Sequence, residues 1–472
     1  MAARIEEMRM DSMIHEQEAR KILETALKSG ADFAELFFED REESNMKCVK
    51  EEVQGLKTVR IFGAGIYVIS GTSSIYVYSN HCSHEGLLRL AEQASEMMAV
   101  KRKAQICIPD CFKGDVMPNP NPVNIYPATV EGKRKQRVLR ETARAALFAG
   151  PEILSLNTDY FDTDQRIWVI NSEGLSVRDR RITTRLRLQV AVSDGRQSFF
   201  NWEDYTHPSG FEVYEREQGY TEFARDMVQR TRQMMDGVAV APSVVPVVLE
   251  AGSCGTLWHE SCGHSLEACA IAAKSSAFVG KLGQKVASEK VTLIDDGTIP
   301  GLYGSSVIDD EGHMRQKNVL IENGILKSYL CDRFHGSMIG MKSNGCGRRQ
   351  NYTYAPTARM SNTYLAPGED EEEEMIRSVP EGLYVKSIGG GTGGMQFSLE
   401  VKEGWWIKNG ELAYPVKGLM LTGNGLEVIG KIDRVGKHLE YDGGGFCGAA
   451  SGLIPTTTFQ PRVRIAEMAI GG

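Results

Sequence analysis

The amino-acid sequence predicts an α+β fold, with a mixed α/β N-terminal domain followed by a largely antiparallel β C-terminal domain. Three observations carry this expectation. Helical periodicity and period-two alternation follow one another up to about residue 236, glycine-punctuated β-rich segments dominate after it, and 472 residues exceed what one typical core needs. The predicted division is therefore 1–236 and 237–472, with a subdivision of the first part at the connector Pro118-Asn119-Pro120-Asn121-Pro122.

Apolar residues at helical spacing predict a helix over Ile14 to Ser29, and β-branched and aromatic runs predict strands at Phe33 to Glu39, Lys47 to Thr58 and Ala64 to Ser70. A helix follows at Ser83 to Val100. Beyond the connector, Glu131 to Phe148 reads as helix, Ser155 to Ser198 as alternating strands, and Tyr214 to Met235 as the helix that closes the first half. Val244-Val245-Pro246-Val247-Val248-Leu249 is a compact strand and Gly252-Ser253-Cys254-Gly255 a turn, so a helix opens just after them. Strands are expected from there to the end, apart from a helix near Glu369 to Ser378 whose acidic start suits the positive end of a helix dipole. Gly389 to Gly394 satisfies G-x-G-x-x-G, yet Met395 to Val401 alternates like a strand, which removes the nucleotide-binding reading.

A formal net charge of −8 argues against a general nucleic-acid binder. The short basic runs Lys101-Arg102-Lys103 and Lys133-Arg134-Lys135 read as solvated faces. Ten cysteines without a secretory leader favour free thiols in the reducing cytoplasm, and the lack of a long apolar run predicts no membrane span. Cys107 and Cys111, with no second pair at finger-like spacing, read as structural.

Chemistry concentrates in His259-Glu260-Ser261-Cys262-Gly263-His264. In H-E-x-x-H, histidines at i and i+4 share one helical face and grip zinc while the glutamate takes a proton from water. Here the spacing is one residue longer, which in a regular helix sets the imidazoles roughly 140° apart, too far to chelate one ion. A π-bulge would absorb the extra residue, and Gly263 offers a permissive backbone for it. Two histidines do not complete a catalytic zinc site, so a third ligand must come from elsewhere. Cys447, in the glycine-dense stretch Tyr441 to Gly448, is one candidate, although composition alone favours an inert buried thiol; Cys262, near the face of His259, competes with it. A thiol hydrolase using Cys447 or Cys262 is a further reading, weakened by the lack of an orienting group beside Cys262 and His264.

Several ordered motifs accompany this core: His259 to Glu267, Phe278-Val279-Gly280-Lys281 with Val286-Ala287-Ser288, Asp295-Asp296-Gly297-Thr298, Arg359-Met360-Ser361-Asn362-Thr363, Gly389 to Gly394, Val416-Lys417-Gly418 and the final Gly471-Gly472. Together they resemble the TldD and PmbA (TldE) peptidases, and within them the TldD branch, because the PmbA branch lacks the metal motif. The resemblance implies a zinc-dependent peptidase hydrolysing unfolded or small peptides, with His259, His264 and Cys447 as Zn2+ ligands and Glu260 as the catalytic base. It also implies a homodimer, or a heterodimer with a PmbA/TldE-like subunit, that encloses the site. Glu267 matches a family position and is either a carboxylate fixing a ligand imidazole or a solvated helix residue. The alternative function is a non-enzymatic regulatory or scaffold protein with a structural zinc, which closure of the fourth position by Cys262 would favour.

Overall fold

Long runs of alternating side chains build the first half into six strands: β1 (Phe33–Val49), β2 (Glu52–Ser70), β3 (Ser73–Ser79), β4 (Ile153–Asn171), β5 (Ser176–Ser193) and β6 (Ser198–His207). They form one antiparallel sheet in the order β3-β2-β1-β4-β5-β6. The computed structural model describes residues 14–98, 108–109, 111–114, 117–119, 121–150, 152–216, 219–441 and 443–471. The basic run Lys101 to Lys103 and Cys107 lie outside them.

The separate strand expected over Lys47 to Thr58 is instead the tip of a hairpin. Phe33 pairs with Ile69 and Val49 with Glu52, and the chain reverses at Lys50, whose φ is 53°. Apolar alternation lapses over Glu39 to Asn45 because polar partners hold this stretch. The Arg60 guanidinium lies 2.7 Å from Asp40, and Gln165 donates to Glu39 at 2.8 Å.

Helices Glu16–Ala26 and His84–Met98 cover one half of the sheet, burying Ile22, Leu23, Leu87 and Ala91 against Leu36, Ile66 and Val68. Gly132–Ala149 and Gly219–Met235 cover the other half, with Val138, Leu139 and Met227 against Tyr160, Leu186 and Leu188. The helix expected from Tyr214 begins as a separate turn, Val213–Arg216. Lys135 corrects the reading of its run as a solvated face. It is buried with Nζ 2.5 Å from Asp162 and above the Tyr160 ring, because a long aliphatic stem on the inner side of an amphipathic helix can carry its charge to a buried partner.

The uncovered face of the sheet meets the second half of the chain. Phe37, Val169 and Val177 pack with Ile308, while Arg349 binds Glu35 at 2.6 Å and Arg181 binds Asp310 at 2.5 Å. There β7 (Ser243–Leu249) pairs in parallel with Glu381–Thr392, which continues antiparallel through Gln396–Lys408, Met420–Asn424 and Val463–Gly471 back to β7. The ring is thus a closed barrel without free edges among these five strands. A second sheet has the order 325–326, 317–322, 293–296, 362–365, 452–459, 445–449. Antiparallel pairing prevails, but β7 with 381–392 and 362–365 with 452–459 run parallel.

Three short helices, Ala268–Ala272, Arg333–Met338 and Gly425–Gly430, interrupt the strands where only strands were expected. Helices this short show too little of a helical period to be read, and two of them are held by side-chain caps. The Asp332 carboxylate accepts the His335 N–H, and the Asn424 side chain accepts the Leu426 N–H. No helix among the described residues is long and apolar enough to cross a membrane.

Lys135→Met would leave the Asp162 carboxylate buried without its countercharge. The expected loss is about 3–5 kcal/mol, read as a lower urea midpoint at unchanged slope; a shift below a few tenths of a kcal/mol would mean the pair is solvated.

Candidate metal centre

The strand β7 delivers the chain to a bend at Gly252, and a short helical turn, Thr256–Trp258, follows. Trp258 is fully buried and its indole N–H donates to the Gln460 side chain, while Thr256 and Thr458 hydroxyls meet at 2.7 Å. A Cβ on Gly255 would come within 2.5 Å of the Phe459 backbone, so only glycine permits this approach. Residues 452–459 pair with the strand that carries Cys447, which pins the motif against the Cys447 hairpin.

His259–Gly263 is a π-helix, closed by a hydrogen bond from the His264 N–H to the His259 carbonyl. The wide turn absorbs the additional residue and brings the rings of His259 and His264 to a centroid separation of 5.0 Å. Gly263 has an ordinary helical φ of −56°. Its lack of a side chain therefore serves packing, contrary to the conformational role expected of it, since a Cβ would stand 2.0 Å from the Met360 sulfur.

Cys447 arrives from 188 residues away on the edge strand Gly445–Ala449. Its Sγ lies 3.1 Å from His259 Nε2 and 3.2 Å from His264 Nε2. Tetrahedral zinc with ordinary Zn–N and Zn–S bonds sets N···S at about 3.5 Å, so a modest opening of the trio accommodates such an ion. The two nitrogens and one sulfur also suit zinc by ligand softness. Cys262 does not join them. It is buried in the apolar core, and its sulfur faces the Gly425 carbonyl at 3.8 Å.

Glu267 lies behind His264, with its Oε1 3.1 Å from Nδ1, and is buried rather than solvated. His259 has no such support, since its Nδ1 is buried without a hydrogen-bond partner. The Glu260 carboxylate is 3.9 Å from His264 Nε2 at the open side of the trio, where the side chains of His264 and Glu260 keep 21% and 25% of their exposure. Above it, a Cβ on Gly393 would come 2.1 Å from Glu260 Oε2, and the Gly394 N–H donates to the Glu260 carbonyl at 2.8 Å. The glycine cluster is thus the roof over Glu260, and the strand Gln396–Lys408 follows it.

The electrostatics divide the residues by task. Burial, followed by the His264 ring and Arg359, holds His259 well below the usual imidazole range, in the neutral form that a ligand needs. Burial raises the Glu260 carboxyl, with His264 pulling it back and Glu267 adding to the rise, which leaves a carboxylate ready to take a proton. At His264 burial opposes charge, yet hydrogen bonds to Cys447 and Glu267 outweigh it and push the imidazole up to about 11. Cys447 and Glu267, on either side of the ring, thus favour positive charge at this point. A bound cation meets the same demand.

The chain matches the family profiles PmbA/TldA metallopeptidase domain 1 over 34–98, central domain over 125–235 and C-terminal domain over 242–472. A metalloprotease TldD homolog from Buchnera aphidicola is 31% identical over 473 residues, covering 97% of this chain and 96% of that protein. The chain belongs to the PmbA/TldD family. Within it the sequence sits in the TldD branch, and the metalloprotease TldD homolog from Haemophilus influenzae is 32% identical over 424 residues, with 87% of this chain and 86% of that protein covered. The crystal structure of TldE from Thermococcus kodakarensis has the same fold, at a TM-score of 0.73 and 18% identity over 96% of this chain and 100% of that one. Membership of a metallopeptidase family implies a metal, and the thiol-hydrolase reading gains nothing from Cys262, whose thiol burial pushes up to about 12.

Gly263→Ala is expected to force Met360 or the π-turn aside, costing about 1–3 kcal/mol and lowering metal retention in dialysis. Met360→Ala in that background should recover part of the retention; unchanged retention in Gly263→Ala would show that the turn tolerates a methyl group.

Proposed function

We propose that this protein is a zinc-dependent peptidase that hydrolyses peptide bonds in unfolded or small peptides, with its catalytic apparatus in residues 237–472 and its N-terminal unit in 1–236. The observation that carries the reading is the convergence of His259 Nε2, His264 Nε2 and Cys447 Sγ, within 4.8 Å of one another, beside a half-open glutamate. In this reading those three atoms hold the metal and the exposed side of the trio is left for water and substrate. Bound there, zinc would act as a Lewis acid that acidifies water and polarises a peptide carbonyl.

The chain's own residues do the rest. Glu260, raised by burial and placed at the open side, accepts a proton on its carboxylate and returns it to the leaving amine. Glu267 accepts the Nδ1 proton of His264, which fixes that ring with Nε2 toward the trio. The Gly389 to Gly394 segment confines Glu260 from above and leaves room where side chains would obstruct an extended peptide.

The metalloprotease names of the relatives support peptidase chemistry, and the TldE neighbour supports assembly with a PmbA/TldE-like subunit, with a homodimer as the alternative assembly of the same proposal. An enclosed site in such a dimer would admit threaded chains and spare folded proteins. A cytoplasmic location belongs to the same proposal, supported by nine free cysteines among the described residues. The scaffold alternative loses its main support because Cys262 is turned into the core and does not close a fourth position.

The test is zinc per chain together with cleavage of an unstructured peptide, alone and with a PmbA/TldE-like partner. Wild type should carry about one zinc. Glu260→Gln should keep it while losing about 10²–10⁴-fold in kcat, and Cys447→Ala should lose both zinc and cleavage. Full zinc in Cys447→Ala would overturn the ligand set, and zinc without cleavage in any pairing would favour the scaffold.

A further inference from the structure

Cys447 sits on a strand poorly suited to hold a metal ligand. Gly445–Ala449 has five residues, lies at the edge of its sheet and, among the described residues, pairs only with Gly452–Phe459. Gly445 and Gly448 contribute no side chain, and Phe446, although exposed, rests against Tyr303 and Arg185, on the face of the strand opposite the Cys447 side chain. Such a strand can shift by more than a coordination bond tolerates unless something outside the hairpin holds it.

Arg359 is in the right place to do so. Its side chain is 1% exposed, and its backbone N–H is tied to the Cys346 carbonyl at 2.9 Å. One guanidinium nitrogen donates to the Cys447 carbonyl at 2.8 Å. The other donates to the Gly452 carbonyl at 3.0 Å and the Ser451 hydroxyl at 3.1 Å. The fork thus grips both arms of the hairpin. Its Nε lies 3.7 Å from Glu267 Oε1, the oxygen that faces His264 Nδ1 at 3.1 Å. A single planar cation therefore connects the backbone of one candidate ligand to the carboxylate behind another, across 183 residues of sequence.

We infer that Arg359 is a positioning residue for the metal site, setting the register of Cys447 against His264 through Glu267. The inference rests on the zinc reading above. It adds a residue that touches neither metal nor substrate, and it requires the arginine fork as well as the charge, because a lysine ammonium cannot grip two carbonyls and face a carboxylate in one plane.

The experiment compares Arg359→Lys with Arg349→Lys, a similarly buried arginine whose guanidinium binds Glu35 and Tyr76 of the N-terminal sheet and the Asp310 carbonyl. Full chains are titrated with zinc against a competing chelator, and with cobalt(II) to read thiolate-to-metal absorption. Both variants are expected to lose stability. Only Arg359→Lys should weaken zinc binding, by about 10–100-fold, and diminish the cobalt–thiolate band. Ser451→Ala, which removes one anchor and no charge, should weaken zinc binding about two- to fivefold and keeps the inference testable if Arg359→Lys does not fold. Equal zinc affinities in Arg359→Lys, Ser451→Ala and wild type, or equal losses in Arg359→Lys and Arg349→Lys, would overturn it. Wild type binding neither zinc nor cobalt would instead refute the metal reading itself, and the inference with it.

Discussion

The hydrogen bond from the His264 N–H to the His259 carbonyl is the constraint on which the site depends. A regular helix would point the two imidazoles apart, and the π-turn is what lets an H-E-x-x-x-H spacing present two nitrogens to one point. Such a turn is intrinsically poor, so the surrounding structure must hold it. Met360 lies against Gly263, and Gly425 comes so close that a Cβ there would be 2.1 Å from the Ser261 carbonyl. Trp258, anchored on Gln460, fixes the entry to the turn. Each of these contacts comes from a different stretch of the C-terminal half.

Placement between the barrel and the second sheet also sets the chemistry. The barrel contributes the roof over Glu260 and the floor beneath Ser261, while the second sheet contributes the hairpin with Cys447. Burial between them keeps His259 neutral and makes Glu260 a stronger base. The same burial would be adverse for a charged His264, and only Cys447 and Glu267 reverse it. One imidazole is thus backed by a carboxylate and the other is not, an asymmetry that makes His264 the better oriented of the pair.

Much of this was legible in the residues. The helical periods at Ile14 to Ser29, Ser83 to Val100 and Glu131 to Phe148 correspond to Glu16–Ala26, His84–Met98 and Gly132–Ala149, because amphipathic faces of that length report themselves. The wide turn followed from counting residues between histidines. What was not legible shares one cause, dependence on distant partners. The middle of the hairpin that turns at Lys50 is held by the Arg60–Asp40 ion pair and cross-strand hydrogen bonds where no apolar alternation marks it, and Lys135 reads as solvent-facing until Asp162 is seen beside it. Gly263 was recognisable as special, but the reason is Met360, 97 positions on, and no local pattern contains that contact.

By itself the sequence determined the fold class, the motif that must bend to bind a metal, and the chemical kinds of residue available for a third ligand. Periodicity, chain geometry and donor chemistry are properties of short stretches, and they survive without the rest of the protein. Only the tertiary structure decided between Cys447 and Cys262 as the neighbour of the two imidazoles, buried Glu267 behind His264 and brought Arg359 to the hairpin. Those outcomes depend on how a barrel and a sheet pack segments 188 and 183 positions apart, and a spacing along the chain carries no information about which side chains such packing brings within bonding distance.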